Sequence, residues 1–98
     1  MTKLHIALND GFAGDSVAIS LDGREVYNKA GVRTDLRISH ADAIDADAPE
    51  AGATVEVRAR GLSATAQVDP GETPYVAVNI DPSGRLEIRR SAEPFPML

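Results

Sequence analysis

The stretch ATVEVRARGLSATAQV, residues 53–68, decides the fold class. Val55, Val57 and Ala59 alternate with Glu56, Arg58 and Arg60; past Gly61, Leu62, Ala64, Ala66 and Val68 alternate with Ser63, Thr65 and Gln67. Successive side chains of a β-strand point to opposite faces, so this period of two reads as two half-buried strands joined at Arg60-Gly61. The stretch DSVAISLDGREVY, residues 15–27, follows the same logic. Val17, Ile19 and Leu21 share a face, Asp22-Gly23 supplies the positive φ of a type I′ turn, and Val26 resumes the alternation.

Outward from these hairpins, Leu4, Ile6 and Leu8 alternate in KLHIAL, PYVAVNI reads as a strand, and in RLEIRR Leu86 and Ile88 face inward. LRIS, residues 36–39, reads as a further strand. Asp69-Pro70-Gly71 is a turn with a left-handed glycine, and Asp81-Pro82-Ser83-Gly84 is a type I turn. Eight short strands at regular spacing, with no long helical pattern, predict an all-β fold: an antiparallel β-sandwich, Ig-like or transthyretin-like, with a small β-barrel as the alternative. The chain of 98 residues reads as one domain with an extended apolar tail at 92–98.

Ten basic against fifteen acidic residues give a net charge of −5, which repels phosphate backbones and argues against nucleic acid as a partner. The excess acid is concentrated in residues 1–50, with five basic and nine acidic groups. Cysteine is absent, which excludes disulfides, thiolate nucleophiles and sulfur-ligated metals. No stretch approaches membrane-spanning length, and the first residues are too polar for a signal-peptide core, so a cytoplasmic protein without membrane contact is expected. The chain carries no GxSxG, HExxH or phosphate-cradling loop, and nothing in the acidic stretches would desolvate a carboxylate; the expectation is no enzyme.

The hairpin pattern SVAISLDGREVY, followed by a strand pair and GLSATAQVDPGETPYVAVNI, resembles the small bacterial β-sandwich modules of the PEGA type or the carboxypeptidase regulatory-like type. The likeness rests on turns and alternation over about two thirds of the chain, and the proline-glutamate-glycine-alanine stretch of the PEGA type is missing. The resemblance implies an accessory or scaffold domain without chemistry of its own, and it assigns no site residue.

Two segments are candidate sites. HADAIDADAPE, residues 40–50, reads as a solvated acidic loop or a single helical turn cut short by Pro49 and Gly52. Asp42, Asp45, Asp47 and Glu50 supply carboxylates suited to calcium, although the twelve-residue calcium-loop pattern is absent. The second acidic loop, 9–16, strengthens a calcium-binding or, with less support, carbohydrate-binding alternative if the two loops meet. In SAEPFPML, residues 91–98, Pro94 and Pro96 hold the chain extended and present Phe95, Met97 and Leu98 as apolar anchors, either for the chain's own core or for a partner. The arginines at 58, 60, 85, 89 and 90, interleaved with Glu56 and Glu87, read as cross-strand ion pairs on outward faces. The resulting expectation is a non-catalytic interaction or structural module that contacts a protein partner, or a second copy of itself, through sheet edges and the tail. No cofactor is expected apart from the calcium alternative.

Overall fold

The computed structural model describes residues 2–37 and 40–93. They form eight strands: β1 (Thr2–Leu8), β2 (Ala13–Leu21), β3 (Arg24–Arg33), β4 (Asp42–Ala48), β5 (Ala53–Ala59), β6 (Leu62–Val68), β7 (Tyr75–Ile80) and β8 (Leu86–Ser91). Two four-stranded sheets result, ordered β4-β1-β7-β8 and β3-β2-β5-β6. The inward residues of both merge into one aliphatic core that includes Leu4, Ile6, Leu8, Val17, Ile19, Val55, Val57, Val76 and Val78, with Phe12 at one end. The architecture is all-β, in two facing sheets, with no closed barrel.

Both hairpin readings hold. Asp22 and Gly23 have φ of 50° and 82°, and Arg60 and Gly61 have 54° and 71°, the doubly positive pattern of type I′ turns. At Asp81 the Gly84 N–H donates to the Asp81 carbonyl at 2.9 Å, closing the expected turn.

Four expectations are corrected. Pairing is not wholly antiparallel: β1 and β7 run parallel, His5 beside Tyr75 and Leu8 beside Val78. The acidic stretch is neither loop nor helical turn but the edge strand β4, in which Ile44, Ala46 and Ala48 turn toward the core while Ala43, Asp45 and Asp47 face out. It is held by a continuous antiparallel register with β1 from Thr2↔Ala48 to Leu8↔Asp42. LRIS is not the strand: Leu36 and Arg37 lie in a turn with Leu36 87% exposed, and Ile38 and Ser39 fall outside the described residues. Gly71 does not take a left-handed φ; it packs closely against Glu50, where a Cβ would stand 2.8 Å from the side-chain Cγ and 3.3 Å from the carbonyl oxygen.

Candidate functional site

The predicted calcium ligands are spread along β4 rather than gathered. Asp45 and Asp47 face the residues that register places opposite them: Asp45 Oδ1 accepts from His5 Nδ1 at 2.6 Å, and Asp47 lies 3.1 Å from Lys3 Nζ. Asp42 turns toward the other sheet, where it accepts from the Tyr27 hydroxyl at 2.8 Å and from Lys29 Nζ at 3.3 Å. Glu50 sits past the strand against Gly71. At about 3.4 Å per residue, Asp42 and Asp47 are roughly 17 Å apart along the strand, whereas calcium needs its oxygens within about 2.6 Å of one point.

The second acidic loop meets this stretch only at its start, where His40 Nδ1 lies 3.0 Å from Asn9 Oδ1. Its Asp15 is engaged by Arg60 at 2.7 Å. Among the described residues, no group of three or more histidines or acids is placed to hold a metal ion.

These contacts set the electrostatics. Burial works against ionisation of Asp42, but the Tyr27 hydroxyl, the Ala43 amide and Lys29 outweigh it and hold the carboxyl below its ordinary range. The Tyr27 hydroxyl is pushed well up, by burial first and then by the Asp42 carboxylate, so it stays a donor. Asp15 is held low by the Arg60 guanidinium against the opposing effect of burial, with help from the Ala13 amide.

The outward face of the β4-β1-β7-β8 sheet carries a feature that spacing in the sequence did not reveal. The parallel register sets His5 beside Tyr75, and their rings stack with centroids 4.9 Å apart at 18°. Together with Ala7, Ala43, Asn9 and His40 they line a cleft of about 150 Å³. Asp45 orients the His5 ring as it would a general base, but among the described residues no serine or threonine hydroxyl is hydrogen-bonded to it, so the base lacks a nucleophile. The volume, equal to about five waters at ~30 Å³ each, is below the about 300–1,000 Å³ of ordinary ligand pockets.

The sheet edges differ sharply from one another. β4 carries Asp42, Asp45 and Asp47. β3 carries Arg24, Glu25, Lys29 and Arg33, and its pairing with β2 is broken by register shifts. β8 carries Glu87, Arg89 and Arg90. β6, LSATAQV, has no charged residue, no proline and an unbroken seven-residue register with β5.

The two-residue turn at Arg60-Gly61 makes Ala59 and Leu62 a hydrogen-bonded pair, so alternate residues Ser63, Thr65 and Gln67 aim their N–H and C=O groups away from β5. The Arg90 guanidinium, reaching over from β8, accordingly finds the Gln67 carbonyl at 2.5 Å. At one end of this edge Leu62 is 41% exposed, one of two large apolar residues so exposed among those described.

Of the arginines expected to pair across strands, Arg60 does so, crossing to Asp15, and Arg58 and Arg89 pair along their own strands with Glu56 and Glu87, two residues away. The tail anchors Phe95, Met97 and Leu98 lie outside the described residues. No helix among the described residues is long and apolar enough to cross a membrane. Comparison with protein-family models, with curated proteins and with solved structures finds no match.

Proposed function

We propose that this chain is a non-catalytic protein-interaction module that accepts an extended strand of its partner on the β6 edge. One observation carries the reading: of the four edge strands among the described residues, three bear charges that discourage pairing, and β6 alone has an uncharged row of outward backbone donors and acceptors, with Arg90 meeting it at the Gln67 carbonyl. Strand addition draws its affinity from those backbone groups, and the alternate side chains supply selectivity. The apolar tail is the second contact in this reading, and the resemblance to accessory sandwich modules of the PEGA or carboxypeptidase regulatory-like type supports a role without chemistry.

Of the two finer architectures, the reading takes the transthyretin-like one. β1 and β2 belong to different sheets here, whereas an immunoglobulin domain keeps its first two strands in one.

The test is selection of binders from a displayed peptide library, followed by amide chemical-shift mapping. Binders of this kind shift the amides of Ser63, Thr65 and Gln67 and are lost in Thr65→Pro, a position whose N–H faces outward and so tolerates proline in the folded domain. Binders that map to the His5–Tyr75 cleft, or that survive Thr65→Pro, refute the edge reading.

A further inference from the structure

We infer that the strand added to β6 is β6 of a second copy, paired antiparallel about a two-fold axis at Thr65 to join two four-stranded sheets into one of eight. The inference rests on the strand-addition reading and names its partner. Its basis is the self-complementarity of the edge.

A two-fold through Thr65 sets Thr65 opposite the same residue of the other copy, Ser63 opposite Gln67, Ala64 opposite Ala66, and Leu62 opposite Val68. The outward-aimed residues Ser63, Thr65 and Gln67 are then the ones that exchange backbone bonds, giving about six across the seam. The Gln67 carbonyl, already bonded to Arg90, has a second lone pair for this. A threonine facing a threonine is a favourable cross-strand pair, and Leu62, exposed in one copy, gains an apolar neighbour in the other.

The same register brings the Arg60–Gly61 turn of one copy, whose Arg60 is paired with Asp15, beside Asp69 of the other, while the β6 residues of the seam carry no charge and Arg90 reaches it at the Gln67 carbonyl. The β4 edge lacks this property: a two-fold pairing centred on Asp45 sets that carboxylate against itself. Pairing along one seven-residue edge buries less than the about 1,200 Å² of a stable interface, so the dimer is a weak one.

Sedimentation equilibrium of the full chain from about 10 µM to 1 mM tests this. The expected result is a mass that rises from the 10.4 kDa monomer toward twice that value. Thr65→Lys and Thr65→Glu, on an exposed outer-face side chain, each abolish the rise by setting like charges opposite one another, and an equimolar mixture of the two restores it. A wild-type mass that stays monomeric to about 1 mM overturns the second-copy proposal, as does a dimer indifferent to Thr65→Lys. Peptide binding that still depends on Thr65 would in that case leave strand addition by another protein standing; loss of that dependence removes both.

Discussion

Replacing Tyr27 by Phe isolates the contact that ties β3 to β4 across the open side of the sandwich. The variant keeps the ring and deletes only the hydroxyl that donates to Asp42 at 2.8 Å, while Lys29 at 3.3 Å remains. A hydrogen bond to a charged group contributes about 1.5–3 kcal/mol, but the Asp42 side chain is 31% exposed and water takes over part of that role, so about 1 kcal/mol is the expected loss. For a domain of this size that lowers the thermal midpoint by about 4–8 °C at pH 7.

The pH dependence follows from the direction of the Asp42 shift. A carboxyl held below its ordinary range in the folded state stabilises fully above the unfolded value, and that contribution is lost as pH falls through the lowered folded value. Tyr27 stays protonated throughout, because its own shift is upward. The gap between wild type and Tyr27→Phe should therefore be full at neutral pH and shrink toward pH 2. Thermal unfolding by circular dichroism at pH 7, 4 and 2 reads it, and a cycle with Asp42→Asn isolates the pairwise coupling. A Tyr27→Phe variant as stable as wild type at pH 7, or a gap unchanged at pH 2, refutes the clasp.

Gly11→Ala should lower the midpoint by more than 10 °C: its φ is +90°, and a Cβ would fall 2.0 Å from the Ile80 carbonyl oxygen, backbone that cannot swing aside. Millimolar Ca²⁺ against EDTA should leave the midpoint unchanged, since the acids of β4 are dispersed among separate cations; a bound ion at a hundred times its Kd would add about 2.7 kcal/mol and lift it by roughly ten degrees. Deleting residues 94–98 should weaken association or lower the midpoint, read by sedimentation and thermal unfolding, and a truncated chain unchanged in both would strike the tail from the proposed function.

Strands bounded by tight turns were legible because β-branched and leucine residues alternate in them and Asp22-Gly23 and Arg60-Gly61 mark the reversals. β4 was not, for a definite reason. Alanine and aspartate are poor strand formers, and only Ile44 in DAIDADA argues locally for β-structure. What makes it a strand is β1, whose Lys3 and His5 stand opposite Asp47 and Asp45. A usable trace was present: Ile44, Ala46 and Ala48 alternate with Asp45 and Asp47. LRIS misled by offering apolar residues at strand spacing in a segment where Leu36 instead faces water.

The parallel pairing of β1 with β7, and hence the His5–Tyr75 stack, joins residues seventy positions apart, which no local pattern records. The same holds for the status of each strand as edge or centre. Arg58 and Glu56 lie on β5, a central strand, so they guard no edge.

That last point bears on function. An edge strand exposes unpaired backbone groups, and a chain that remains monomeric ordinarily blocks them with charge, proline or bulges. Here β4, β3 and β8 each carry charges, β3 is also bulged, and the adjoining sides of β3 and β4 are pinned together by Asp42. β6 has none of these devices, apart from one carbonyl occupied by Arg90. Blocking three edges while leaving the fourth open restricts pairing to one direction. In the proposed dimer, such a sheet closes on itself as a pair rather than propagating into a fibre, because the two-fold seam uses the one edge that lacks these devices among the described residues.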